Sequence, residues 1–192
     1  MVFIIGVDHL VQYNGPVPEQ LRNEFKDYLV ACSRLHRVEL IAEEFSREAL
    51  QEVYHATRDT ALEVADMLGI PHLYCDPEEA DMKRLGIPYF ADTLGMVRAR
   101  HGITEAFILD DVVRGTIRSE AVAISKTFWL KRESFWYDRL APVTGGNILF
   151  ICGHEHVYRF HSLLGSHGHT SRVLDPFWRS DIFSNYQSIG LG

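Results

Sequence analysis

Four short apolar runs punctuate the chain, at residues 2–7 (VFIIGV), 38–42 (VELIA), 72–75 (HLYC) and 147–152 (NILFIC). Runs of this length predict strands buried on both faces, as in a parallel sheet covered by helices. A fifth strand is predicted at 171–174 (SRVL). The segments between them carry helical periodicity. Residues 19–37 place Leu21, Phe25, Tyr28, Leu29, Cys32 and Leu35 on one stripe, the spacing of a helix with one buried face. Ser46 is a cap for a second helix, whose stripe runs Leu50, Val53, Tyr54, Thr57, Ala61, Val64, Ala65 and Leu68. Gly69 then stands at the left-handed C′ position and Pro71 blocks continuation. Asp76-Pro77-Glu78-Glu79 offers an N-cap acid, a first-turn proline and a third-position glutamate, and so predicts a short helix ending at Gly86.

Residues 87–115 are the least regular stretch, with two glycine breaks, the basic cluster Arg98, Arg100 and His101, and the acidic pair Asp110-Asp111. They read as one or two short helices in an excursion that serves as a lid or binding loop. A long helix is expected over 116–140 and a further amphipathic one from His156 to Leu164. The tail, 175–192, carries Phe177, Trp178, Phe183 and Tyr186, too many aromatics to stay free, and is expected to pack on the body or to mediate oligomer formation. The sum is one α/β domain spanning 1–192. It has a mostly parallel sheet of about five strands with helices on both faces, and a long helical excursion between strands three and four. In open sheets of this kind ligands bind beyond the carboxyl ends of the strands.

The chain has 192 residues, 46% of them hydrophobic and 23% charged, in keeping with a single globular core. The net charge of −7 argues against general nucleic-acid binding. There is no apolar run of the roughly 20 residues needed to span a bilayer. The N-terminal MVFIIGVDH lacks the basic start of a signal peptide. Three cysteines, Cys32, Cys75 and Cys152, form no CxxC pair, and Cys75 and Cys152 sit in apolar strand-like runs, so a reducing cytoplasm is the expected location.

The predicted strand ends gather the chemistry. Strand one ends in Gly6-Val7-Asp8-His9, strand two in Glu43-Glu44, strand three in Cys75-Asp76 and strand four in Gly153-His154-Glu155-His156. Imidazole and carboxylate groups on one sheet edge suit zinc, manganese or iron, and equally suit metal-free acid–base work. Alternation along a strand turns only one of Glu43 and Glu44 into a shared site, and only one of His154 and His156. His156 is favoured, being spaced from its glycine as His9 is from its own. Strand ends are polar in any α/β fold, and Asp76 is accounted for as a helix cap. Arg132 falls within the apolar stripe of the 116–140 helix, formed by Ile117, Ala121, Ile124, Phe128, Phe135 and Arg139. There it either pairs with Glu43 or Glu44, holds an anionic ligand, or reaches the surface beside Trp136.

Two Gly-x-x-His motifs, the glutamates after strand two and the Arg132-x-x-Phe-Trp136 stretch together resemble the Tiki/TraB/erythromycin-esterase/ChaN superfamily. The resemblance follows the order of most of the chain. It implies a metal-dependent or acid–base hydrolase, with His9 and His156 as motif histidines, Glu43 or Glu44 as the acid and Arg132 as the arginine. On the residues and the resemblance together, the expected function is hydrolysis of a small-molecule or peptide substrate. The expected catalytic groups are Glu43, Glu44, Arg132 and His156, with a divalent ion held by His9, Glu43 and His156. The rival is a non-enzymatic nucleotide or small-molecule sensor on a Rossmann-like sheet, against which stands the lack of a glycine-rich phosphate loop.

Overall fold

The computed structural model describes residues 1–13, 17–103, 111–143 and 145–187. Five strands form one sheet in the order β3-β2-β4-β1-β5, every pairing parallel. They are β1 (Val2–Val7), β2 (Val38–Glu43), β3 (His72–Tyr74), β4 (Asn147–Gly153) and β5 (Ser171–Asp175). The α/β architecture read from the sequence is the one observed.

Because both faces of the sheet are covered, side chains alternating along a strand enter two different cores. Phe3, Ile5, Val7, Ile41, Leu149 and Ile151 face α1 (Glu19–Leu35) and α3 (Thr60–Leu68), where Phe25, Leu29 and Val64 meet them. Ile4, Leu40, Ala42, Phe150 and Cys152 face the other way, against Trp136 and Leu140 of α7 (Trp129–Leu140) and Phe160 and Leu164 of α8 (Val157–Ser166). The unbroken apolar runs are thus a direct consequence of two-sided burial. Trp178, and Phe183 of α9 (Ser180–Gln187), close the first core. The tail is therefore packed on the body rather than offered as an exposed aromatic patch; Tyr186 has no described side chain.

Three helices depart from the sequence reading. The helix expected from Ser46 to Leu68 is two, α2 (Arg47–Glu52) and α3. Ser46 caps the first through the Ala49 amide and Asp59 caps the second through Leu62, so an internal cap interrupts the stripe. The 116–140 helix is also two, α6 (Asp111–Lys126) and α7. Their apolar faces point to different partners. Ile117 and Ala121 pack with Val97 of α5 (Phe90–Arg100) in a small separate cluster, while α7 buries Glu133, Trp136 and Leu140. Finally, α4 (Glu79–Leu85) has Glu78 at its N-cap position without a side-chain cap bond, and Asp76 is used elsewhere. No described helix is long and apolar enough to cross a membrane.

The first motif glycine has a packing role. A Cβ at Gly6 would collide with the backbone carbonyl of Pro176 and lie 2.6 Å from Val157 Cγ2, and the Gly6 carbonyl accepts the Trp178 N–H at 2.8 Å. The missing side chain lets the tail cross β1 at hydrogen-bond distance. Gly6→Ala is expected to lower stability by about 2–3 kcal/mol, from overpacking against backbone that cannot yield; urea unfolding monitored by circular dichroism measures it.

Candidate active site

Glu44 stands just past the end of β2 and is 3% exposed. Its Oε1 receives Arg132 Nη2 at 3.1 Å and lies 3.6 Å from His156 Nε2 and 4.0 Å from His9 Nε2. Its Oε2 accepts the Gly153 N–H at 2.8 Å. The sheet order explains the convergence. β4 lies between β2 and β1, and the register that pairs Val7 with Gly153 sets the two histidine-bearing 3-10 turns side by side. His9 follows β1 and His156 follows β4. A Cβ at Gly153 would lie 2.9 Å from His9 Nε2. The glycine of the second motif thus makes room for the histidine of the first.

Both imidazoles are fixed through Nδ1. His9 Nδ1 meets Gln12 Oε1 at 2.7 Å, and Gln12 Nε2 donates to Glu43 Oε2 at 3.0 Å. That second bond leaves the amide oxygen to accept from His9, which assigns a proton to Nδ1. His156 Nδ1 donates to Glu133 Oε1 at 2.8 Å. Glu133, 1% exposed, is itself held by Arg159 Nε at 3.2 Å. The His156 ring is flanked by Trp129 and Trp136, with centroids 4.4 and 5.1 Å away. Two imidazole Nε2 atoms and one carboxylate oxygen therefore face a common point, each oriented by a further polar group.

Arg132 pairs with Glu44, one of the two acids expected for it, and also with an acid assigned otherwise. Its Nε and Nη2 bond Asp76 Oδ1 and Oδ2 at 3.0 and 2.7 Å, and Trp136 Nε1 donates to Asp76 Oδ1 at 2.9 Å. Asp76 is thus the bidentate partner of the arginine and not a helix cap. Nε and Nη2 are thus committed to two carboxylates. Burial by itself would raise the Glu44 carboxyl; His156, Arg132, His9 and the Gly153 amide outweigh it and hold the group below the ordinary carboxylate range.

Glu43 does not join His9 and His156. Alternation turns it to the α1–α3 face, where its Oε1 lies 2.7 Å from His72 Nε2 and its Oε2 meets Gln12. The expected metal set of His9, Glu43 and His156 is accordingly not assembled, and Glu44 occupies the place given to Glu43. Glu43 belongs instead to a buried group with Asp59 and His72, whose ligand atoms lie within 4.8 Å of one another and could hold a metal ion. Tyr74 donates its hydroxyl to Asp59 Oδ2 at 2.5 Å. Burial and the neighbouring Asp59 push the Glu43 carboxyl well up, and burial pushes the His72 imidazole down.

A cavity of about 540 Å³ opens over the Glu44 cluster. Its floor holds His9, Glu44, Arg132 and His156, and its walls include Tyr54, Tyr89, Phe90 and Trp129. Residues 87–90, at the start of the expected lid, do line it. The basic cluster farther along does not, since Arg100 and His101 both pair with Glu120 of α6. His154 also borders the cavity but stacks on Phe177, with ring centroids 3.9 Å apart. Residues 104–110 of the excursion lie outside the described residues.

Gln12, Glu133, Asp59 and His72 were not singled out from the sequence. Glu133 carried a usable signal: it shares the buried face of α7 with Trp136 and Leu140, three and seven residues on. No protein-family model, no curated protein and no solved structure matches the chain.

Removing the arginine leaves Asp76 with the Trp136 N–H and Glu44 with the Gly153 N–H and the two imidazoles, and takes away the cation they share. Arg132→Ala is expected to cost about 2–3 kcal/mol, below the about 3–5 kcal/mol of a fully buried pair because the side chain is 25% exposed; equilibrium denaturation measures the loss. Glu44 gives a pH signature. A carboxyl held below its unfolded value contributes stability that is present above that value and lost as pH falls through the folded one. The stability gap between wild type and Glu44→Gln should be about 2 kcal/mol at neutral pH and should shrink below about pH 4; urea titrations across this range check the trend.

Proposed function

We propose that the cavity is the active site of a metal-assisted hydrolase, with His9 Nε2, Glu44 Oε1 and His156 Nε2 as the ligand atoms for zinc, manganese or iron. The observation that carries this reading is the convergence of His9 Nε2 and His156 Nε2 on Glu44 Oε1, at 4.0 and 3.6 Å. Each imidazole is oriented by a partner at Nδ1, which leaves Nε2 turned to Glu44. Two histidines with one carboxylate are a common divalent-metal set. A bound ion there would polarise a substrate carbonyl or phosphoryl oxygen and acidify a water.

The chain's own groups do the rest. Glu44, kept ionised by Arg132 and the Gly153 amide, supplies charge to the centre. His156, braced by Glu133, can hold or pass a proton at Nε2, and Trp129 beside it limits water. The resemblance to the Tiki/TraB/erythromycin-esterase/ChaN group is compatible with this assignment, since it selects His9, His156, Arg132 and one of Glu43 and Glu44. Metal-free acid–base hydrolysis is the second reading. It is favoured by Arg132, whose guanidinium lies 3.1 Å from the Glu44 oxygen that an ion would share.

The purified full chain, assayed for bound metal by mass spectrometry and against a panel of aryl esters and peptides, tests both readings. One metal per chain and chelator-sensitive hydrolysis are expected. His9→Ala, Glu44→Gln and His156→Ala should each lose about 10²-fold or more in kcat/KM while staying folded. Hydrolysis that survives without metal establishes the acid–base route. Metal retained in His9→Ala and His156→Ala but lost in His72→Ala places the ion with Glu43 and Asp59. Absence of any hydrolysis overturns the enzyme reading in favour of a small-molecule sensor.

A further inference from the structure

One phenol in the cavity wall is left without a partner. Tyr54 lies two residues beyond α2, is half-buried and lines the cavity. Among the described residues its hydroxyl makes no hydrogen bond. Tyr74 shows the ordinary alternative, its hydroxyl donating to Asp59 Oδ2 at 2.5 Å. A phenol taken largely out of water usually finds such a partner, so one that has none calls for a reason.

The ring is held in place. It packs on Tyr13 and Phe45, with centroids 4.3 and 5.4 Å away. Phe45 is 4% exposed, directly follows Glu44 and lies 5.7 Å from the His9 ring. Beyond Tyr54 the backbone turns at His55, whose φ of 51° lies in the left-handed region, and the Ala56 N–H returns to the Leu50 carbonyl at 3.0 Å. A non-glycine residue in that region is uncommon, and here it ties Tyr54 to the end of α2. Glu44, Arg132 and Asp76 of the cavity floor all act on the Tyr54 hydroxyl. Burial, and then Tyr13 and Glu44, push it up to about 12, so it keeps its proton at neutral pH and is a donor. The neighbouring floor groups are largely spent on one another. Arg132 gives Nε and Nη2 to Asp76 and Glu44, and both imidazoles turn Nε2 to Glu44.

We infer that Tyr54 is a catalytic residue of this site, its hydroxyl donating a hydrogen bond to the carbonyl oxygen of an ester or amide as water attacks. The inference rests on reading the cavity as the active site of a hydrolase, and it adds a group that neither Gly-x-x-His motif contains. The attacking water forms the new C–O bond, the old C–O or C–N bond breaks, and the leaving alcohol or amine takes a proton from that water. Tyr54 retains its own proton throughout. An uncharged donor suits the position: its bond strengthens as the oxygen becomes negative, and it is not drawn beforehand into an ion pair with Glu44 or Asp76 as a cation is.

Tyr54→Phe keeps the ring and removes only the hydroxyl. In the full chain it is expected to leave the melting temperature and the metal content as in wild type, to lower kcat on an aryl ester about 10²-fold, and to leave KM within about threefold. A kcat within about twofold of wild type, or a loss that lies in KM alone, overturns the inference and spares the hydrolase reading. A second measurement needs no turnover. Isothermal titration compares 1,1,1-trifluoro-4-phenylbutan-2-one, whose hydrate has the tetrahedral shape of the attacked carbonyl, with 4-phenylbutan-2-one, which stays trigonal. Tyr54→Phe is expected to bind the trifluoroketone about tenfold more weakly than wild type and the plain ketone within about threefold. Equal effects on the two ketones, or no binding of the trifluoroketone to wild type, overturns the inference. A selective loss in a protein that hydrolyses nothing supports Tyr54 as the donor and overturns only the enzyme reading.

Discussion

A carboxylate removed from water needs compensation at every lone pair, and Glu44 is such a group. The compensation is drawn from distant parts of the chain. Arg132 comes from α7, the Gly153 amide from β4, and the two imidazoles from turns after β1 and β4. Each donor creates a demand of its own. Arg132 carries charge that Glu44 alone does not balance, so Asp76 takes it in bidentate fashion, and the Trp136 indole N–H completes Asp76. His156 needs Glu133, and Glu133 needs Arg159. One buried charge thus organises the carboxyl edge of the sheet, and the geometry around it follows from satisfying each member in turn.

Glu43 and Glu44 are adjacent in sequence and shifted in opposite directions. The first is buried near Asp59, Tyr74 and His72 on the α1–α3 face, and burial and Asp59 push its carboxyl up. The second faces imidazole and arginine, which hold its carboxyl down against burial. Gln12 links the two environments, one end of its amide on Glu43 and the other on His9. The orientation of His9 in the cavity is in this way tied to a polar group on the far face of β2.

The strands were legible because burial on both faces leaves an unbroken apolar run, which chain composition alone reveals. His9 and His156 were legible for a related reason: a glycine three residues earlier, at the end of such a run, marks a turn pressed close to something. What each glycine is pressed against, the tail at Gly6 and His9 at Gly153, is a fact of three-dimensional packing. Asp76 was misread because Asp-Pro-Glu-Glu satisfies every local rule for a helix start, and the pull of an arginine 56 residues away is not local. The choice between Glu43 and Glu44 turned on which face of β2 each occupies, and the sequence holds both orders equally. The breaks at Asp59 and Thr127 were hidden for the same reason: the apolar stripes continue across them, and only the partner helices change.

The sheet order has a further consequence for how the molecule comes to be. β4, near the end of the chain, is inserted between β1 and β2, and its register with β1 joins residues more than a hundred positions apart. Until it arrives, the first two strands have no neighbour between them, both hydrophobic layers lack their middle, and Glu44 has neither the Gly153 amide nor His156. Pairing over so long a loop is slow, because the entropy of closing it is lost before the contacts form. Completion of the cavity and completion of the fold are then a single late event, and a nascent chain holding only β1 to β3 carries its buried acid without the groups that make burial tolerable.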